Sequence, residues 1–329
     1  MKKYDVFGIE SGCLDLNVCI DEMPKLNTGT HVTDLSWQGG GKVSSGLIAS
    51  ARLGAKCAIS GSFGDDTYGM ICYNDFKRHG IDMPNFYLRA GKTTSLDIVV
   101  AEKKSMTRTM LFRPGTSERI KEEEVDWNLL SETKLLFIAG YGALSMKAAD
   151  KAHELGAKVL IDADGYAEDI MTTIPKIDYF IGSEFVFDGL FPGAKEKGLE
   201  NLKEECEKIK AMGPEVVVFT FGEKGCIGLS DEDGYFTLPA FKVDVVDTVG
   251  AGDIFHGAFA AMAAQGKSAK ECALYASATS AIKCTRIGGR AGIPTMDVLE
   301  KFIRTGEIDY TEIDKRVEFY RKGNENWQL

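Results

Sequence analysis

Apolar residues fall into two alternating kinds of run along the chain. Short, nearly uninterrupted runs at residues 4–10, 56–61, 135–139, 158–162, 177–181 and 215–220 read as buried strands. Between them, apolar positions recur at helical spacing. A helix is predicted over residues 43–53, closed by Gly54, and another runs from an aspartate cap in Gly64-Asp65-Asp66 to Gly80. A third is capped by Ser145 and ends at Gly156, and a fourth spans 199–212, closed by Gly213-Pro214. Ser268 and Glu271 form a capping box that opens a further helix, and a terminal helix packed on the outside is expected within 306–329. Strand and helix in alternation predict an α/β fold, with a parallel sheet covered on both faces and ligands at the carboxyl ends of its strands.

Two regions break this rhythm. Residues 11–31 look irregular after the first strand, and residues 93–100 and 107–112 alternate as paired strands about the polar turn Lys103-Lys104-Ser105. Gly91-Lys92-Thr93 imitates part of a phosphate-binding Walker loop, but the position of that loop's first glycine is Phe86, so the reading fails.

Composition narrows the classes. Of 329 residues, 44% are hydrophobic and 27% charged, as in soluble globular proteins. The net charge of −10 offers no basic stripe for nucleic acid. No run of eighteen apolar residues occurs, and the N-terminus enters a strand directly, so neither a membrane span nor a signal peptide is expected and the protein is placed in the cytoplasm. Eight cysteines, at 13, 19, 57, 72, 206, 226, 272 and 284, show no Cys-x-x-Cys pair and read as reduced core residues.

The chemistry concentrates in Asp247-Thr-Val-Gly-Ala-Gly-Asp-Ile-Phe-His-Gly257. Gly250, Ala251 and Gly252 carry little bulk, so anion oxygens can approach their N–H groups at the start of an apolar helix. Asp253, in the first turn, is expected to be kept ionised by the helix dipole and so to accept a proton. A hydroxyl held there would lose its proton to Asp253 while the turn neutralises a transferred phosphoryl group.

This stretch resembles the signature of the ribokinase-like, or PfkB, carbohydrate kinases. The resemblance implies a three-layer α/β/α sandwich with a mainly parallel central sheet and a small β lid, in a single domain over 1–329, with lid segments at about 12–35 and 92–116. It implies Asp253 as catalytic base and the Gly250-Ala251-Gly252 backbone as anion hole. Gly40-Gly41 through Gly54 is similar to the family's first signature, implying sugar contacts at Gly40, Gly41, Ser45 and Asp15, with Ser45 standing where many members have asparagine. Arg113 is the candidate for a polar or anionic end of the substrate; Lys42 reads first as a solvated surface lysine and second as a contact for an acidic substituent on the substrate. Thr220-Phe-Gly222-Glu-Lys-Gly225 is similar to the family's nucleotide loop, and with Ser183 and Thr279 completes the implied ATP site. Mg²⁺ is implied; Ser183 and Val186 depart from the family's Asn-x-x-Glu, leaving either Glu184 acting through water or the phosphates and water alone to hold it. A monovalent cation such as K⁺ stays open, since Gly292 stands where potassium-dependent members often have serine. Residues 241–259 and 283–294 look most like the sulfofructose kinase branch, but Gly29, Thr30 and Tyr141 occupy its basic sulfonate positions, so that substrate is not implied. The expectation is an ATP-dependent kinase acting on a primary hydroxyl of a sugar or related polyol such as a ketohexose. A nucleoside kinase of the same fold and a catalytically silent regulator are the alternatives. Sheet edges in the lid suggest a homodimer.

Overall fold

The computed structural model describes residues 2–105 and 107–323. The chain begins β1 (Tyr4–Ile9), β2 (Leu14–Ile20), β3 (Val32–Gly39), α1 (Lys42–Arg52), β4 (Cys57–Gly64), α2 (Thr67–Arg78) and β5 (Asp82–Arg89). It continues through β6 (Leu96–Glu102), β7 (Thr107–Arg113), β8 (Thr133–Ala139), α3 (Ala143–Glu154), β9 (Lys158–Ala163), α4 (Ile170–Thr173), β10 (Tyr179–Ser183) and α5 (Glu184–Leu190). The last part holds α6 (Lys203–Lys210), β11 (Val216–Thr220), β12 (Cys226–Ser230), β13 (Gly234–Leu238), α7 (Ala251–Ala264), α8 (Ala269–Cys284), α9 (Met296–Thr305) and α10 (Thr311–Arg321).

Nine strands form the main sheet in the order β13-β12-β11-β10-β9-β8-β1-β4-β5. All neighbours from β11 to β5 are parallel, and β12 and β13 add an antiparallel hairpin at one edge. Side chains alternate across it. On β8, Leu135 and Phe137 enter one buried cluster with α1, α7 and α8, while Leu136 and Ile138 enter another with α3, α5 and α6. Both faces are therefore dry, which is why the strand runs lack polar alternation.

A second sheet, β3-β2-β6-β7, stands apart and gathers the segments expected to form the lid. Residues 11–31 are less irregular than their sequence suggests: β2 pairs with β3 antiparallel and with β6 parallel. Other details depart from expectation. The helix at 143 is capped by the backbone of Gly142, and Ser145, lying inside its first turn, donates instead to the Ala139 carbonyl (3.3 Å). The helix expected over 199–212 divides into a short turn at Leu199–Asn201 and α6, with Leu202 at the break. The terminal helix is α10, whose Ile313, Val317 and Tyr320 are buried; residues 324–329 of the expected segment lie outside those described.

Candidate active site

The turn before α7 is built by its glycine and by Asp247. Gly250 is the N-cap at φ 72°, a left-handed conformation that glycine adopts without Cβ strain. The buried Asp247 carboxylate accepts from the Val249 N–H (2.9 Å) and the Gly288 N–H (2.8 Å), tying the turn to the loop after α8. The Ser280 hydroxyl donates to the Ala251 carbonyl (2.8 Å), and the ring nitrogens of His256 face the carbonyls of Gly252 (2.7 Å) and Ile181 (3.2 Å). Ala251 spends its own N–H on Thr248 (3.2 Å). The first N–H groups of α7 have no acceptor inside the helix, so Gly252, which is exposed, presents its amide outward.

Asp253 keeps partial exposure beside this turn, with Oδ2 3.7 Å from where a Cβ on Gly250 would stand. Its ionisation differs from the sequence expectation. Crowding by protein pushes its pKa well above the usual carboxylate value, and the nearby Asp162 pushes it further, while Lys42 opposes both. The dipole of one helix end is outweighed by desolvation plus like charge. Lys42 is a surface lysine, its side chain 40% exposed, but it is not isolated. Its ammonium pairs with Asp164 (2.8 Å) and feels Asp162 and Asp253; burial would lower its pKa, yet these carboxylates leave it raised.

The other wall of the site holds Asp15 and the Gly39-Gly40-Gly41 run. A Cβ on Gly40 would stand 2.2 Å from Asp15 Oδ1, so only glycine lets the two approach. Gly41, at φ 99°, begins α1, whose free N–H groups on Lys42 (3.1 Å) and Ser44 (2.7 Å) donate to the Glu10 carboxylate. Asp15 and Asp97 both accept from the Cys13 thiol (3.3 Å each). Burial raises Asp15 to about 7, with Asp97 and Glu10 adding to the rise, while the Cys13 hydrogen bond and Arg290 pull it down. Beside this wall lies a cavity of about 200 Å³ bounded by Ser11, Ser62, Phe63, Thr94, Ser117 and Arg119. Arg113 is exposed, one residue before Pro114 on the same rim, and Arg119 is the basic side chain that lines the cavity.

Ser45 does not face this space. It is 3% exposed and accepts from Arg290 Nε (3.2 Å). Arg290 is buried too, binding Asp75 (2.7 Å) and the Gly40 carbonyl (2.9 Å), while Tyr320 donates to Asp75 (2.7 Å). Ser45 thus belongs to the frame behind the glycines, as suits a side chain shorter than the asparagine it replaces.

Where nucleotide contacts are expected from the sequence, β10 and β11 run parallel, with Ser183 opposite Thr220 at their carboxyl ends. Ser183 caps α5, accepting from the Val186 N–H (3.4 Å) and donating to the Asp164 carbonyl (2.6 Å). Gly222 (φ 54°) and Gly225 (φ 96°) shape the following turn, and a Cβ on Gly225 would meet the Leu238 carbonyl. Glu184 is 38% exposed and held loosely by Lys195 (3.4 Å), which sits closer to Asp188 (2.6 Å). Thr279 is fully buried and its hydroxyl donates back to Tyr275 (2.8 Å), so it faces the core; the next residue, Ser280, is the one that reaches α7.

The site residues missing from the sequence reading are Glu10, Asp162 and Asp164. Each stands at a strand end, the one signal that could have marked them.

The pfkB family carbohydrate kinase profile matches residues 3–296. A nucleoside kinase from Methanothermobacter thermautotrophicus is 24% identical over 91% of this chain and 95% of its own. A probable fructokinase-5 from Arabidopsis thaliana is 26% identical over 81% and 88%. Among solved structures, Arabidopsis thaliana ribokinase complexed with ribose and ATP superposes with a TM-score of 0.77 at 19% identity, covering 92% of this chain and 99% of that one.

Proposed function

Since the chain belongs to the pfkB family of carbohydrate kinases, we propose that it transfers the γ-phosphoryl group of ATP to a primary hydroxyl of a sugar or related polyol. The observation that carries this is the meeting of Asp253 and the α7 N-terminus with Lys42 at the start of α1, where α1 and α7 pack together. In the transfer, Asp253 accepts the hydroxyl proton as the alcohol oxygen bonds to the γ-phosphorus and the bond to the bridging oxygen breaks. ADP leaves. The amides of Gly250 and Gly252, with the Lys42 ammonium, balance charge on the moving group, while the Ala251 N–H is already taken by Thr248. Asp15 and the Gly40–Gly41 backbone orient the acceptor, and the wall of Glu10, Asp15 and Asp97 favours a neutral, hydroxyl-rich molecule over an anion.

Thr220, Gly222, Gly225 and Ser183 are the groups proposed for the nucleotide. Glu184, loosely paired and at the right strand end, fits a water-mediated role toward Mg²⁺, which supplies charge neutralisation on the phosphates when bound. Free cysteines at all eight positions accord with a cytoplasmic enzyme, and none of the described helices is long and apolar enough to cross a membrane. The sulfofructose kinase likeness does not reach the substrate: Tyr141 donates to the Gly165 carbonyl (2.9 Å) and Gly29 leaves open space. We place a dimer interface on the lid, where β7 is an open edge.

The deciding experiment is an ADP-release screen across hexoses, pentoses, polyols and nucleosides. Turnover with a ketohexose or polyol and not with nucleosides is expected. Preference for a nucleoside moves the acceptor to the other kinase class represented among the relatives, and no turnover with any acceptor removes the kinase reading.

A further inference from the structure

Behind the anion-binding turn lies a buried cation belonging to the chain itself. Lys283, in the last turn of α8, has no solvent exposure. Its ammonium donates to the main-chain carbonyls of Asp247 (2.8 Å) and Val249. Lysine is almost never fully buried without a specific reason, because removing an ammonium from water is costly.

The geometry supplies a reason. A trans peptide is planar, so its carbonyl and the following N–H point to opposite sides. Drawing the Val249 carbonyl onto the ammonium turns the Gly250 N–H away from it, and the Asp247 carbonyl does the same for the Thr248 N–H. Gly250 is left-handed at this point, a conformation the turn must hold against alternatives. The Asp247 carboxylate braces the same turn through Val249 and Gly288. A fixed positive charge behind the turn also favours negative charge in front of it.

Carbonyl oxygens converging beside a phosphate-binding turn are the donors a hard monovalent cation takes, and the resemblance to the kinase family left such a cation open. The residues present do not fit one. Lys283 already holds the two carbonyls. Position 292 closes the other side: a Cβ on Gly292 would lie 2.4 Å from the Lys283 carbonyl oxygen and 2.8 Å from its Cα, so a serine hydroxyl has no room.

We propose that the Lys283 ammonium is a built-in substitute for a monovalent cation, a positioning residue that orients the Gly250–Gly252 turn and makes phosphoryl transfer independent of K⁺. The proposal rests on the kinase reading above. Because the charge is tethered, it cannot be diluted away, and turnover should not follow the salt in which the enzyme works.

The test starts with the wild-type enzyme in buffer free of K⁺, Na⁺ and NH₄⁺. Replacing choline chloride by KCl at equal ionic strength should leave turnover unchanged; several-fold activation overturns the proposal. Lys283→Ala uncovers the carbonyls and should lose about 10²-fold in turnover in choline, the scale of losing one preorganised electrostatic group. KCl or NH₄Cl should restore part of that loss and choline none. Lys283→Met, which fills the space without charge, should be as slow and gain nothing from KCl; full turnover in Lys283→Met overturns the proposal. Thermal unfolding gives a readout that needs no acceptor. KCl should raise Tm over choline for Lys283→Ala and not for wild type, and a K⁺-specific rise in wild type would refute a built-in cation. Should the variants not fold, the two wild-type measurements still decide. If no acceptor is turned over, the kinase reading fails by itself, and the Tm response still judges the cation.

Discussion

In the proposed transfer, Asp253 works from a protonation state that its surroundings resist. With its pKa raised by burial and by Asp162, it must be ionised before it can take a proton, so kcat/KM should climb with pH and level off only above the usual carboxylate range. Asp253→Asn should bind ATP yet lower turnover by about 10² to 10⁴. A stopped assay over pH, with ATP binding by calorimetry, checks both; near-normal turnover removes Asp253 from the chemistry. Stability should move the other way. A carboxyl with a higher pKa folded than unfolded binds more protons when folded, so its contribution falls as pH rises from the unfolded value through the folded one. Asp253→Asn should therefore melt higher than wild type at alkaline pH, with the gap closing in acid. Asp15 offers a sharper window because its pKa lies at about 7. Ionisation makes Asp15 acceptor-only and strengthens each hydrogen bond it takes from a substrate hydroxyl, so KM for the acceptor should fall as pH rises through about 7. Asp15→Asn should raise KM and flatten that dependence; an unchanged profile would take Asp15 out of the acceptor site.

Elements reveal what contiguous sequence could and could not disclose. Residues 247–253 were legible because turn, helix start and base follow one another within a single turn of chain. Lys42 looked like any surface lysine, since only the packing of α1 against α7 and the end of β9 surrounds it with carboxylates. The hairpin of β12 and β13 passed unread although Asp233 precedes Gly234, the left-handed (φ 65°) first residue of β13, a standard turn signal. Nothing local joins Asp75 on α2, Arg290 beyond α8 and Tyr320 on α10, three residues brought together by the tertiary fold. That network holds the Gly40 carbonyl and is open to a double-mutant cycle. Arg290→Met leaves the Asp75 charge buried without its partner and should cost about 3–5 kcal/mol in urea unfolding. Adding Asp75→Asn should recover part of the loss. If the double variant is no more stable than Arg290→Met, the pair is not coupled as drawn.

For the whole molecule, the unanswered demand is the lid's outer edge. Among the described residues, the order β3-β2-β6-β7 leaves β7 without a partner strand on one side, and all seven of its residues are exposed. Leu111 and Phe112 are 55% and 67% exposed, and Val32 on the opposite edge strand is 54% exposed. Edges of this kind are usually blunted by charge, proline or a covering element, and α10 serves that purpose only at β3, where Arg321 pairs with Asp34 (2.6 Å). A second copy pairing along β7 would satisfy the free backbone groups and cover the apolar side chains. The wild-type protein should then sediment at twice its 35.9 kDa mass at assay concentration. Phe112→Asp should sediment as a monomer, with an unchanged far-ultraviolet spectrum showing that the fold survives. Loss of the dimer should also raise KM for the acceptor more than for ATP, because β7 braces β6, which carries Asp97. A wild-type monomer at working concentration would return the exposed strand to solvent and leave the lid to act alone.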